Sequence, residues 1–183
     1  MNAIAVWLIL SAACGVLFQH PSAASGWKEF KSAESHFRVQ YPSSWRRLSD
    51  NQKGLDIVNF PPGQGQHGIV LSPTGANIQV GGPPPWVRTL EEWIRANLQG
   101  TLPIEDGEIR ITNPPPDGCT SFRRVVSRDD ADGSGKHIFV DTEFYCSKGN
   151  RLYLVLLTNW EGDPKQAELQ ELALKIAQSL RTW

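Results

Sequence analysis

Residues Cys119–Cys146 decide the fold class, because their sequence predicts two strands joined by a turn. The strands are CTSFRRVVSR and HIFVDTEFYC, and the turn between them is DDADGSGK. The flanks are rich in β-branched and aromatic residues, and the middle consists of turn formers. An antiparallel register places apolar residues opposite apolar ones and opposite charges together: Val125 with Val140, Val126 with Phe139, Arg124 with Asp141. The same register sets Cys119 against Cys146, which predicts a disulfide that closes the hairpin. A redox-active pair is the alternative, but the chain has no Cys-x-x-Cys motif.

The turn of this hairpin has the partial spacing of a calcium loop. Asp130, Asp132, Ser134 and Asp141 fall at positions 1, 3, 5 and 12 of a twelve-residue loop. Position 12 is Asp instead of a bidentate Glu, the flanks are strands instead of helices, and Asp141 is expected to face Arg124. We therefore expect a polar hairpin turn, with a calcium site as the alternative.

The first 24 residues have a composition of their own. Residues 3–18 are almost continuously apolar, and no charged side chain precedes Lys28. This stretch is short for a membrane-spanning helix, and the small residues Ser22 and Ala24 suit cleavage by a signal peptidase. The pattern predicts a signal peptide over residues 1–24.

Two alternatives to a cleaved leader remain open. One is a membrane anchor that is never removed. The other is lipidation at Cys14, although the usual Leu three residues before the cysteine is missing. Under the cleaved interpretation, the mature chain is secreted or periplasmic, has no membrane span, and keeps Cys119 and Cys146 as an even pair in an oxidising compartment.

Composition excludes several classes of protein. The 183 residues carry 18 Lys and Arg against 19 Asp and Glu, a net charge of −1. Such a chain lacks the cationic field that draws proteins to nucleic acid, so no nucleic-acid partner is expected. Residues 25–183 are long enough for one domain with one core.

Alternation and turn signals predict mostly strands, with two helices. The strands are Trp27–Lys31, His36–Tyr41, Leu55–Phe60, Gly68–Leu71, Asn77–Val80, Glu108–Thr112 and a central strand Arg151–Asn159, besides the hairpin. The helices are Thr89–Gln99 and Pro164–Leu180. The class is α+β, with helices packed on a mostly antiparallel sheet.

Both helices carry start signals and an apolar stripe. Thr89 and Glu92 form a capping box for the first helix, and Asp163 is expected to cap the second, with Pro164 in its first turn. The stripes are Leu90, Trp93, Ile94 and Leu98 in the first, and Leu169, Leu172, Ala173, Ile176 and Leu180 in the second.

The segment FRVQYPSSW over residues 37–45 has the spacing F-x-V-x-Y-P-x-x-W. With the Leu-Glu-Glu-Trp helix and the final strand and helix, it resembles the PsbP-like superfamily. The resemblance implies an α/β/α sandwich around an antiparallel sheet and a binding, assembly or chaperone-like role without chemistry. It assigns no functional residues. We expect Phe37, Val39, Tyr41 and Trp45 to be core and corner residues.

Candidate chemistry is sparse. The histidines that follow the leader, His36, His67 and His137, are far apart and lack the spacing of a zinc site, and no cofactor or metal is expected. His67 lies in a Gly-rich loop and could act as a base, but no activated-nucleophile motif accompanies it. We expect a non-enzymatic binding or assembly module, with a small hydrolase that uses His67 as the alternative.

Trp86 is the best candidate for contact with a ligand or partner, and His67 is a further candidate. Trp86 follows the stiff sequence GGPPP over residues 81–85, and a large aromatic at such a position is costly to expose without use. Burial of Trp86 under its loop is the expected arrangement, and contact is the alternative. The partner would be an envelope or extracellular protein, or a small ligand.

Overall fold

The structure is a computed structural model that describes residues 26–48, 50, 52–60, 75–99, 116–129 and 135–183. Within these ranges the chain forms nine strands and two helices. In chain order they are β1 (Trp27–Ser32), β2 (Phe37–Pro42), β3 (Arg46–Arg47), β4 (Leu55–Val58), β5 (Ala76–Gly81), α1 (Leu90–Gln99), β6 (Cys119–Asp129), β7 (Lys136–Lys148), β8 (Arg151–Trp160), α2 (Gln166–Ser179) and β9 (Arg181–Thr182).

The strands form two antiparallel sheets. The larger has the order β3-β4-β5-β8-β7-β6, and the smaller has the order β1-β2-β9. Helix α2 packs against β2, β7 and β8, whereas α1 packs against β7. Side chains alternate along β7. Phe144 and Cys146 therefore lie in the core that also contains the buried residues of α2, whereas Tyr145 lies on the other face and contacts Trp93 of α1. The predicted α+β class, with helices packed on a mostly antiparallel sheet, is confirmed.

The predicted hairpin forms with the predicted register. Cys119 pairs with Cys146, Arg124 with Asp141, Val125 with Val140 and Val126 with Phe139. The disulfide joins Cys119 and Cys146, whose Cα atoms are 4.0 Å apart. β8, the predicted central strand, lies between β5 and β7.

The main core lies between the α2 face of the larger sheet, the smaller sheet and α2. The residues singled out in the F-x-V-x-Y-P-x-x-W segment, Phe37, Val39, Tyr41 and Trp45, are all buried in it, as expected. Helix α2 contributes Leu169, Ala173, Ile176 and Ala177, followed by Leu180, and Leu172 is partly buried. The Phe37 ring packs edge-on to Tyr153 with centroids 5.5 Å apart, which joins the two sheets.

The capping box of α1 is confirmed. The Glu92 N–H donates to Thr89 Oγ1 at 3.1 Å, and the Thr89 N–H donates to Glu92 Oε2 at 3.2 Å. Trp93 is buried and Leu90 and Ile94 are partly buried, while the Leu98 side chain lies outside the described part.

Several details differ from the prediction. Helix α2 begins at Gln166, two residues later than expected, and its N-cap is Lys165. The expectation that Asp163 caps this helix is therefore wrong, because Asp163 Oδ1 accepts the Lys165 N–H at 2.8 Å in a turn before the helix. Strand β2 begins at Phe37, since His36 adopts a left-handed φ of 53°. The two-residue strands β3 and β9 were not predicted. The predicted strands Gly68–Leu71 and Glu108–Thr112 lie outside the described residues.

Candidate binding surface

Three connections meet at one end of the sandwich and border a groove of about 330 Å³. They are the β1–β2 turn, the loop between β5 and α1, and the turn between β7 and β8. The residues that line it include Glu34, Ser35, Pro83, Arg88, Arg151 and Tyr153. We refer to this feature as the turn-end groove.

Tyr153 fixes one wall of the turn-end groove. Its hydroxyl donates to the carbonyls of Ser35 at 3.1 Å and His36 at 3.3 Å, which ties the β1–β2 turn to the start of β8. Burial raises the pKa of Tyr153 above its ordinary value, although the positive charge of Arg151 opposes this shift. The hydroxyl therefore stays protonated at neutral pH and remains a donor.

Trp86 lies on the loop between β5 and α1, which borders the groove through Pro83, Val87 and Arg88. The Val87 N–H donates to the Pro84 carbonyl at 3.0 Å, which closes a turn. Val87 is buried against Trp93 and Tyr145, whereas Trp86 is 65% exposed. The expectation that Trp86 is buried is therefore wrong. Val87 is the buried apolar residue that anchors the loop, and the neighbouring Trp86 side chain is exposed to solvent.

The charges around the turn-end groove are unbalanced. Glu34 forms an ion pair with Lys53 at 3.0 Å. Arg88 and Arg151 are exposed, and neither side chain forms a salt bridge with another described residue. The surface therefore offers two guanidinium groups to an anionic partner.

A second exposed tryptophan lies beside the β1–β2 turn. Trp183 is 52% exposed, its ring centroid is 6.3 Å from that of His36, and Lys31 Nζ lies 4.7 Å from the ring. Sequence reasoning missed this residue, since its position depends on the pairing of β9 with β2.

The α1 face of the larger sheet carries a buried polar network. Arg124 contacts Glu143 and lies 4.0 Å from Asp141. The Thr158 hydroxyl donates to Asp141 at 2.7 Å, and the Tyr145 hydroxyl donates to Glu143 at 2.8 Å. Burial raises the pKa of Glu143 above its ordinary value, and the nearby charge of Arg124 opposes that shift.

Glu143 was not singled out from the sequence. The signal was its position two residues after Asp141, which places both carboxylates on one face of β7. Because the three charged side chains are at most 7% exposed, we assign this network to holding the sheet together and not to contact with a partner.

The other candidate residues are dispersed or lie outside the described part. Asp141 faces Arg124 as expected, while Asp130, Asp132, Ser134 and His67 lie outside the described residues. His137 packs against Trp160 with centroids 4.3 Å apart, at the end of β7 away from the turn-end groove.

No group of three or more His, Cys, Asp or Glu side chains within the described ranges could hold a metal ion. In the same ranges no helix has the length and apolarity to cross a bilayer.

A scan against protein-family models finds no match, and a search of curated proteins finds none. Solved structures do match. The yeast Ran-binding protein Mog1p is 10% identical over 86% of this chain and 95% of that one, with a TM-score of 0.53. A protein of Bacteroides thetaiotaomicron is 13% identical over 85% of this chain, with a TM-score of 0.49, and the match spans 48% of that chain. This chain therefore covers about half the length of the Bacteroides protein.

Cyanobacterial PsbP from Synechocystis is also among the similar structures. It is 11% identical over 94% of this chain and 99% of that one, with a TM-score of 0.41. At such identities a structural match concerns the fold alone. The chain shares its α+β fold with Mog1p, and PsbP, to which the sequence resemblance pointed, is among its structural neighbours.

Proposed function

We propose that this chain is an extracytoplasmic, non-enzymatic accessory protein that binds a protein partner through Trp86 and the turn-end groove. One observation carries the proposal: Trp86 is 65% exposed on a loop that a proline run and a buried anchor hold in place.

An exposed indole on a stiff loop is suited to binding. Tryptophan is among the residues that contribute most to protein interfaces, because it places a large apolar area in a pocket of the partner. The rigid Pro83–Pro85 segment reduces the conformational entropy that is lost when the loop is immobilised by a partner. Trp86 therefore combines contact area with preorganisation.

The groove beside Trp86 adds specificity. Arg88 and Arg151 form no salt bridge with described residues, so an acidic segment of a partner could engage both guanidinium groups. None of the residues that line the groove is a histidine or a cysteine, and Glu34 is already paired with Lys53. The hydroxyls of Ser35 and Tyr153 donate hydrogen bonds to backbone carbonyls. This composition favours binding over acid–base or nucleophilic chemistry.

The fold is compatible with such a role. Mog1p is a Ran-binding protein and shares this fold, so the architecture can support a protein-binding surface. The location outside the cytoplasm is supported by the leader pattern of residues 1–24 and by the disulfide between Cys119 and Cys146.

Site-specific photocrosslinking in the native cells tests the proposal. A photoreactive phenylalanine analogue replaces Trp86 in one variant and Ile138 in a matched control. Ile138 is 45% exposed and lies on β7, about 30 Å from the β7–β8 turn at the ordinary rise of a strand. We expect position 86 to give a discrete adduct that excess unlabelled protein suppresses.

Trp86→Ala completes the experiment. Because the side chain is exposed, this substitution should leave the unfolding temperature unchanged. Excess unlabelled Trp86→Ala protein should no longer suppress the adduct at position 86. Equal crosslinking at positions 86 and 138, or full competition by folded Trp86→Ala, would contradict the proposed surface.

A further inference from the structure

A second cavity, of about 310 Å³, lies on the α1 face of the larger sheet. Asp56 of β4, Gln79 and Gly81 of β5, Leu154 of β8 and Trp93 of α1 contribute to its lining. We refer to it as the α1 cavity. Its volume is in the range of small-molecule sites, and it combines an indole, an apolar side chain and a few polar groups.

Asp56 is the one ionisable side chain among the residues that line the α1 cavity. Asn77 Nδ2 donates to Asp56 Oδ1 at 2.6 Å, and the Gln79 amide is a second hydrogen-bond donor. Both donors are neutral, and no Lys, Arg or His of the described chain forms a salt bridge with Asp56. Burial raises the pKa of Asp56 in spite of these hydrogen bonds.

This electrostatic arrangement favours a cation. A half-buried carboxylate has lost part of its hydration, and two amides compensate only partly for the loss. A bound positive charge would restore the missing counter-charge. It would also stabilise the ionised form of Asp56.

Trp93 gives the cavity an aromatic wall on the helix side. The indole is 4% exposed and is held edge-on against Tyr145, with centroids 5.5 Å apart. An indole beside a carboxylate is a common recognition pair for ammonium groups, since the ring attracts the cation and the carboxylate balances its charge. Leu154 adds apolar surface for a short carbon chain.

Gly81 leaves the cavity open. Gln79 and Gly81 alternate with the core residues Ile78 and Val80 along β5, so a side chain at position 81 would point to the α1 face. A Cβ built on Gly81 would meet no atom within 4 Å. A larger residue at this position would therefore enter the cavity without disturbing the core.

We propose that the α1 cavity binds a small organic cation, with Asp56 as its counter-ion and Trp93 as its aromatic wall. This site is separate from Trp86 and does not depend on the proposed protein-binding role. The expected ligands carry one ammonium group on a short carbon chain.

Calorimetric titration of the purified protein tests this site with four probes. Choline and butylammonium carry the charge, and 3,3-dimethylbutan-1-ol and butan-1-ol are their neutral counterparts. We expect at least one cation to bind and both alcohols to bind at least tenfold more weakly. Asp56→Asn should weaken cation binding at least tenfold, whereas Glu161→Gln, which removes an exposed carboxylate, should leave it unchanged.

A steric variant and a pH series separate the site from general charge effects. Gly81→Leu should abolish binding and Gly81→Ala should weaken it less, and thermal unfolding would establish that each variant is folded. Affinity should fall as the pH is lowered and Asp56 is protonated.

Three results would overturn the proposal: no binding of either cation, equal binding of the alcohols, or full binding by folded Asp56→Asn. The first result would overturn it even if a Lys-containing peptide bound. Binding of the peptide alone would indicate a peptide-docking site.

Discussion

Arg124 and Glu143 form a buried ion pair on the α1 face of the sheet, with side chains 7% and 2% exposed. The strand register places Arg124 opposite Asp141, so the contact with Glu143 runs diagonally between β6 and β7. One guanidinium therefore lies between two carboxylates, Asp141 and Glu143. Loss of the cation would leave two buried negative charges.

Arg124→Met should destabilise the protein by about 3–5 kcal/mol, because uncompensated buried charges are costly. Arg38→Met is the control, since the ion pair of Arg38 with Glu29 is about half exposed and such pairs contribute about 0–1 kcal/mol. Urea unfolding at neutral pH measures both values. If Arg124→Met and Arg38→Met lost the same free energy of unfolding, the buried network would not stabilise the sheet.

Glu143→Gln should change how stability depends on pH. Because burial raises the pKa of Glu143 in the folded state, the folded protein retains this proton to higher pH than the unfolded chain does. The contribution of Glu143 to stability therefore falls as the pH rises through these two pKa values. Relative to the wild type, Glu143→Gln should be more stable at about pH 7 than at about pH 4.

Glu171→Gln is the matched control for this experiment. A hydrogen bond from Lys175 lowers the pKa of Glu171, so this carboxylate contributes stability above its unfolded pKa and loses it as the pH falls. The two variants should therefore show opposite pH trends in their urea midpoints. A shared trend would contradict the assigned shift of Glu143.

Removal of the disulfide should cost about 3.5 kcal/mol on the chain-entropy model, because Cys119 and Cys146 are 27 positions apart. The double variant Cys119→Ala with Cys146→Ala avoids a free thiol. In guanidinium unfolding, the double variant should have a lower midpoint than the wild type, and a reductant should not change that midpoint. The midpoint of the wild type should fall when the disulfide is reduced. Mass spectrometry of the unreduced wild type should find no free thiol at either cysteine.

The exported protein should begin at Ser25. N-terminal sequencing of protein recovered outside the cytoplasm would test cleavage after Ala24, and Ala24→Glu should block it, because a signal peptidase needs a small residue before the cut. Incorporation of labelled fatty acid that Cys14→Ser abolishes would support lipidation instead. Retention of the full-length chain in the cytoplasm would contradict export altogether.

Local patterns predicted much of the fold. Charge and side-chain alternation were enough to align Cys119 with Cys146, and the Thr89 and Glu92 capping box marked the start of α1. The two-residue strand β9 could not be found in this way. β9 pairs with β2 because the packing of α2 places the end of the chain beside β2. Two residues are too few to show the alternation that predicts a strand.

The candidate surface was harder to predict than the fold. The sequence singled out Trp86, but it gave no means to decide that Val87 instead of Trp86 enters the core. Asp56 and Trp93 are far apart in the sequence and line one cavity because α1 packs on the face of the larger sheet that carries the Asp56 side chain. Such juxtapositions depend on tertiary packing, which local spacing does not encode.

The contacts that β2 makes with residues far along the chain have a consequence for its synthesis. The Gln40 N–H donates to Ser179 Oγ at 2.9 Å across 139 positions, and β9 then pairs with β2. A chain that emerges amino end first can close the β6–β7 hairpin long before α2 arrives. Until then the side chains of Phe37, Val39 and Tyr41 lack the cover that α2 gives them, so a nascent chain that stalls before Gln166 should be a substrate for proteases and holding chaperones.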